Sequence, residues 1–161
     1  FKEVDDRPFT SLGGLLHDIG KVNIPETILT KPGKLNAIEW DLIKSHPEVG
    51  QEEVLKDTDF PWPVADMAKH HHERLDGSGY PDGLKGDELS LEVRIIGAVD
   101  VVEAMSTRRP YRSAMLKESV VEVLKKHKGT KFDPRVVDIL LEMIEEGKVN
   151  FDSNFDSRTK D

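Results

Sequence analysis

Cysteine is absent from the 161 residues. That removes disulfides, thiolate metal ligands and cysteine nucleophiles together. Any bound metal must be held by His, Asp or Glu, donors suited to zinc, iron or manganese. No apolar run approaches the roughly 18 residues that a membrane span needs. Positive charge is in short supply: 23 Lys+Arg stand against 31 Asp+Glu, a formal net charge of −8 with the six His neutral. Such a chain lacks the basic face that duplex nucleic acid requires. A few local cations or metal ions can still hold a small anionic ligand. The GxxxxGK[ST] spacing of a phosphate-binding loop is missing, and no Ser-His-Asp arrangement is visible. Internal repeats, low-complexity segments and a signal-peptide pattern are missing too. The first residue is Phe1, so the chain reads as a fragment.

What remains is a polar, globular composition, with 37 % apolar and 34 % charged residues. The length fits one domain with a sizeable core. The spacing predicts an all-α fold, a compact helical bundle. Leu12, Leu15, Leu16 and Ile19 recur at helical spacing and Gly20 is placed to end that helix. Residues 21–35 read as a loop with a turn at Lys31-Pro32-Gly33-Lys34. Asn36 and Glu39 outline a capping box for a helix carrying Ile38, Leu42 and Ile43. Pro47 fits the start of a second helix running to about Leu55. After Pro61 and Pro63, Val64, Met67, Ala68, His71 and Leu75 share one helical stripe. Residues 76–90, with five Gly or Pro, read as a structured loop. Residues 91–106 are apolar almost all round, a buried helix. Residues 117–127 and 134–146 are amphipathic helices, the second with Asp133 as N-cap and Gly147 past its end. The expected domain spans 1–149, followed by a mobile polar tail at 150–161.

Several residues carry chemistry. His17-Asp18 closes an apolar helix; alone, the pair also fits a capping Asp beside a surface His. In His70-His71-His72-Glu73, His71 falls on the apolar stripe and His72 lies about 100° further round. A buried imidazole needs a hydrogen-bond partner or a metal. His70 reads as a solvated helix residue. Asp100 sits inside Ile95-Ile96-Gly97-Ala98-Val99-Asp100-Val101-Val102. A carboxylate there needs a metal or a cation, and a buried salt bridge to Arg is the alternative. Glu103, one turn on, shares its face as an outer-shell group or substrate contact. His46 precedes Pro47 and also fits an N-cap. Together His17, Asp18, His46, His71, His72 and Asp100 exceed what one tetrahedral ion needs, so a site of two or more metals is inferred. Asp18 is suited to bridge them, because a carboxylate can bridge and an imidazole cannot. A pair of ions clamps a phosphate and generates a hydroxide nucleophile. Lys21 follows His17 by one turn. Arg109 and Arg112 offer forks for phosphate or a guanine edge, with Arg108 beside them. Lys125, Lys126, Lys128 and Lys131 read as an exposed face.

The ordered set His17-Asp18-Ile19-Gly20-Lys21, His46-Pro47-Glu48-Val49-Gly50, His71-His72-Glu73-Arg74-Leu75-Asp76-Gly77-Ser78-Gly79-Tyr80-Pro81, Asp100 and Arg109-Pro110-Tyr111-Arg112 resembles the HD-GYP domains of the HD phosphohydrolase superfamily. Ile24-Pro25, Lys31-Pro32-Gly33-Lys34-Leu35 and Thr130-Lys131-Phe132-Asp133-Pro134 match as well. The resemblance covers roughly residues 12 to 146. It implies an all-α domain that hydrolyses cyclic di-GMP to pGpG and on to GMP, in the cytoplasm of a bacterium. It implies two or three divalent transition-metal ions, usually iron or manganese, with His17, Asp18, His46, His71, His72 and Asp100 as ligands. Lys21 would contact the scissile phosphate. Gly79, Tyr80 and Pro81, with Glu103, Arg109 and Arg112, would shape or contact the substrate. An upstream sensory or receiver domain is implied, and a homodimer is left open.

Two departures from the family pattern stand out. The family carries a further ligand His on a helix before the His-Asp pair, and here no His precedes His17. Glu103 stands where many members have Asp. The first departure motivates a rival expectation, a catalytically silent module that binds cyclic di-GMP. A phosphodiesterase for cyclic GMP-AMP is the other.

Overall fold

The computed structural model describes residues 7–58, 63–107 and 116–151, with side chains from residue 12 onward. The all-α expectation holds: the described residues form helices and turns, with two isolated bridges, Asp76 to Lys85 and Lys128 to Phe132. The helices are α1 (Arg7–Leu16), α2 (Glu26–Leu29), α3 (Ala37–Lys44), α4 (His46–Val49), α5 (Val64–His70), α6 (Leu91–Ser106), α7 (Lys117–His127) and α8 (Pro134–Glu145). None is long and apolar enough to cross a membrane.

The local signals work where caps decide. Asn36 accepts from the Glu39 amide at 2.9 Å, and the Glu39 carboxylate takes the Asn36 amide at 2.9 Å, so the capping box is complete. Asp133 accepts the Arg135 amide at 2.9 Å and opens α8. Ser90 does the same for α6 through the Val93 amide. Gly147 follows α8 at φ 72°, a left-handed position that suits glycine.

Elsewhere the structure corrects the periodicity. α1 stops at Leu16, and His17-Asp18 form a turn into a 3₁₀ stretch, Ile19–Asn23. Ile19 still reaches the core because the tighter turn keeps it on the same side. The expected loop 21–35 therefore contains the end of that stretch and α2. The helix after Pro47 begins one residue earlier, at His46, and runs on as a π-helix over Gly50–Leu55. Pro61 lies outside the described residues. α5 ends at His70, with His71 at its C-cap, so Leu75 does not extend the helical stripe. Leu75 is brought back to the core by its amide donating to the Lys131 carbonyl. α6 is buried through Val93, Ile96, Gly97, Ala98 and Val102, but Leu91 and Val99 are exposed, so it is not buried all round. Lys125, Lys126 and Lys128 are exposed as expected, whereas Lys131 is half-buried. Of the expected tail, residues 152–161 lie outside the described residues.

α6 is the central element. Ala98 and Val102 pack with α7 and α8 around Val120, Leu124, Val137 and Ile144. Val93 and Ile96 pack on Met67 of α5 and on Leu89. A third cluster, Leu55, Val64 and Ala68, takes Leu12, Leu16 and Ile19 from the N-terminal side. The 3₁₀ stretch meets α4 at Gly20 against Gly50. A Cβ on Gly20 would run into the His46 carbonyl oxygen and the Gly50 amide, which are backbone and cannot swing aside. The loop after α5 is held partly by His70, whose Nδ1 lies 2.7 Å from Asp66 and Nε2 3.0 Å from Asp82. It is not the solvated residue the sequence suggests.

Two outcomes follow for urea unfolding of the metal-free chain. Gly20→Ala loses about 1–3 kcal/mol through overpacking, whereas Gly14→Ala, with Ile96 its only neighbour, at 3.9 Å, gains a few tenths or more from helix propensity. Equal effects contradict the close approach at Gly20. The Asp66 and Asp82 carboxylates outweigh burial and raise the His70 imidazole above its ordinary 6.5. Protonated His70 therefore stabilises fully below pH 6.5, and that contribution fades as pH rises through the raised value. The stability gap between wild type and His70→Gln should shrink over that window; a pH-independent gap contradicts the clamp.

Candidate metal centre

His17 and Asp18 come from the turn after α1, His46 from the start of α4, His71 and His72 from the turn after α5, and Asp100 from the middle of α6. Four separate chain segments thus bring the six sequence-predicted residues together. Within the group, one donor atom each from Asp18, His46, His71 and His72 lies within 4.8 Å of the others. His17 and Asp100 adjoin them: His17 Nε2 is 3.6 Å from Asp100 Oδ1, and His72 Nδ1 is 4.0 Å from Asp100 Oδ2.

The backbone orients three of the rings in the same way. Nδ1 of His17 is 2.6 Å from the Gly14 carbonyl, that of His46 is 2.7 Å from Ile43, and that of His71 is 2.8 Å from Ala68. Each carbonyl lies three residues back. A carbonyl only accepts, so each Nδ1 carries a proton, and each ring turns its Nε2 inward, where it offers a lone pair whenever the ring is neutral. His46 Nε2 and His71 Nε2 face each other at 3.3 Å. Two facing lone pairs repel unless a proton or a cation lies between them.

Asp18 stands between two sets of donors. Its Oδ1 is 3.2 Å from His46 Nε2 and 3.8 Å from His71 Nε2, is buried, and has no hydrogen-bond partner among the described residues. Its Oδ2 accepts from Lys21 Nζ at 2.5 Å and lies 3.4 Å from His17 Nε2. An orphaned buried carboxylate oxygen facing two lone pairs is costly without a cation. This donor set fits divalent transition metals, which His and Asp residues would hold without sulfur. The pairs on Asp100 are with His17 and His72, not with an Arg, among the described residues. His46 is the first residue of α4 behind Ser45, not an N-cap.

The electrostatics agree with a cation site. Burial opposes charge on Asp18, but His17, His46 and Lys21 hold its carboxyl far below the usual range. Burial also opposes charge on His17, yet Asp100 and Asp18 push it up to about 10. In the metal-free chain a proton on His17 stands in for missing positive charge, and metal binding would displace it. Burial, then the nearby His17 and His46, push His71 down to about 4, which keeps its lone pair free. Burial and His71 lower His72 as well.

The substrate-side residues divide. Tyr80 stacks on the His72 ring, with centroids 4.7 Å apart and planes at 27°. Gly79 packs on the Glu73 and Arg74 backbone, where a Cβ would clash, and Pro81 follows through a cis peptide bond. Glu103 lies one turn beyond Asp100 and is exposed. Arg109 and Arg112 lie outside the described residues. Sequence reasoning gave no role to Glu73 and Arg74. Glu73 is buried, and its Oε1 accepts from the Asp82 and Gly83 amides. Arg74 donates to the His71 and Glu73 carbonyls and lies over the Phe132 ring. The position of Glu73 directly after two candidate ligands was the one available signal.

Comparison with known proteins agrees with this geometry. A family model described as "HD domain" matches residues 3–136. The chain is 45 % identical over 127 residues to the cyclic di-GMP phosphodiesterase response regulator RpfG of Xanthomonas campestris, covering 78 % of this chain and 34 % of that protein. It is 42 % identical over 129 residues to 3'3'-cGAMP-specific phosphodiesterase 3 of Vibrio cholerae, covering 80 % and 28 %. It is 38 % identical over 133 residues to a cyclic di-GMP phosphodiesterase of Thermotoga maritima, covering 81 % and 36 %. The chain thus spans about a third of the length of these curated relatives. With a matching family model over most of its length and relatives of this identity, the chain belongs to the HD-domain family, in its HD-GYP branch.

Proposed function

We propose that this chain is a metal-dependent phosphodiesterase that opens cyclic di-GMP to the linear dinucleotide pGpG and carries it on to GMP. One observation carries the reading: the two oxygens of Asp18 face two different sets of donors, His46 and His71 on one side, His17 and Lys21 on the other. A carboxylate so placed would hold cations together with the imidazoles on its two sides. His17, Asp18, His46, His71, His72 and Asp100 would hold the ions, with iron or manganese the metals this oxygen and nitrogen set accepts. When bound, such ions supply Lewis-acid stabilisation of phosphoryl oxygens and a hydroxide nucleophile.

The chain's own residues do the rest. The Gly14, Ile43 and Ala68 carbonyls fix the tautomer and direction of three rings before any ligand arrives. Lys21, whose Nζ lies beside the Asp18 carboxylate, would meet a phosphoryl oxygen of the substrate. Tyr80, on the rim of the His72 ring, gives a base a flat surface to stack on. Arg109 and Arg112 would add forks for phosphate or guanine, and Glu103 a polar contact with the substrate. By the same reading a sensory or receiver domain would lie upstream, in a cytoplasmic bacterial protein.

Product chromatography with iron or manganese supplied tests the reading. His17→Ala or Asp18→Ala should lower turnover by more than the roughly 10–100-fold that loss of an outer-shell partner costs, with helical circular dichroism retained. Full activity in either variant contradicts it. A second reading, turnover of 3'3'-cGAMP, is favoured by relatives of that specificity at 42 % and 43 % identity. Parallel assays of the two cyclic dinucleotides separate them. A silent binding module would instead bind cyclic di-GMP in calorimetry with no product after metal reconstitution.

A further inference from the structure

We propose that Glu73 is a positioning residue: its buried carboxylate fixes the Gly79–Pro81 loop so that Tyr80 lies against His72 and forms the base-stacking wall of the site. The inference rests on the phosphodiesterase reading for its kinetic consequence, and on geometry alone for its structural one.

Glu73 is 4 % exposed. Its Oε1 accepts from the Asp82 amide at 2.7 Å and the Gly83 amide at 2.8 Å, nine and ten residues further along the chain. Its Oε2 is buried and has no hydrogen-bond partner among the described residues. A carboxylate buried with one oxygen orphaned is an expensive way to stabilise a fold. Two converging N–H donors on one charged oxygen are, however, a strong and directional tie. The same loop is also held through the Asp82 carboxylate by Lys69 and His70, each 3.0 Å away, but that carboxylate is 40 % exposed whereas Glu73 is buried. Glu73 is therefore the deep anchor.

The anchor acts on the site because the loop doubles back onto it. Gly79 lies directly on the Glu73 backbone, close enough that any side chain there would collide. That contact delivers the next residue, Tyr80, to the face of His72. Glu73 also follows His71 and His72 in the chain, so one turn carries two candidate ligands and the fixing point of the loop above them. Loosening Glu73 would leave the donor cluster in place while freeing Tyr80. Substrate binding should suffer more than the chemical step.

The test uses the metal-loaded chain, with Glu73→Ala and the conservative Glu73→Gln, whose amide oxygen can still accept from both N–H groups. In Glu73→Ala, hydrogen exchange at the Asp82 and Gly83 amides should quicken at least about tenfold. The KM for cyclic di-GMP should rise about tenfold, with kcat within about threefold and metal content unchanged. Glu73→Gln should recover most of both effects. Unchanged exchange at those amides overturns the proposal, as does a joint fall of kcat and metal content at constant KM. If Glu73→Ala does not fold, Glu73→Asp, whose carboxylate is one methylene too short to reach both amides, decides alone. Faster exchange at Asp82 and Gly83, with the Ser78 amide on Asp76 unaffected, supports the anchor, and any other pattern overturns it. If the wild type turns over no cyclic dinucleotide, the phosphodiesterase reading fails while the exchange comparison still decides the anchor.

Discussion

The site depends on a hydrogen bond repeated three times. His17, His46 and His71 each tie Nδ1 to the backbone carbonyl three residues earlier, and each ring's Nε2 then points into the same small volume. Those carbonyls sit in the last turns of α1, α3 and α5, where backbone acceptors are left over. The same short helices that leave the carbonyls free therefore aim the rings. Asp18 is drawn into the space the rings define, and the 3₁₀ turn that follows it brings Lys21 back beside its carboxylate.

Convergence of donors has a cost, and the surrounding structure is arranged to bear it. Facing lone pairs and an orphaned carboxylate oxygen would push the segments apart in a chain without cations. α6 opposes that tendency. It presents Asp100 to His17 and His72 on one side and buries Ala98 and Val102 against α7 and α8 on the other. On the N-terminal side, the packing of Gly20 on the α4 backbone holds the His-Asp turn against His46.

Much of this was legible in the sequence, for identifiable reasons. Asn36 with Glu39, and Asp133 before Pro134, are local devices, and both elements start where their caps place them. The six donor residues could be picked out because each is chemically out of place: an acid inside an apolar helix, imidazoles in a run. What failed was periodicity across a turn. Leu12 to Ile19 and Val64 to Leu75 both look like continuous stripes. Yet the chain leaves the helix at Leu16 and at His70, and tertiary contacts return Ile19 and Leu75 to the core. Glu73 was invisible for a related reason. Its partners are backbone amides, which leave no mark in the sequence.

Elemental analysis of anaerobically purified, folded protein tests the central claim most directly, since it reads the donor cluster without assuming a substrate. The account predicts two or more iron or manganese ions per chain, with a fall in that number when Asp18 is replaced by Ala. One ion or none in the wild type, or a content indifferent to Asp18, would contradict it.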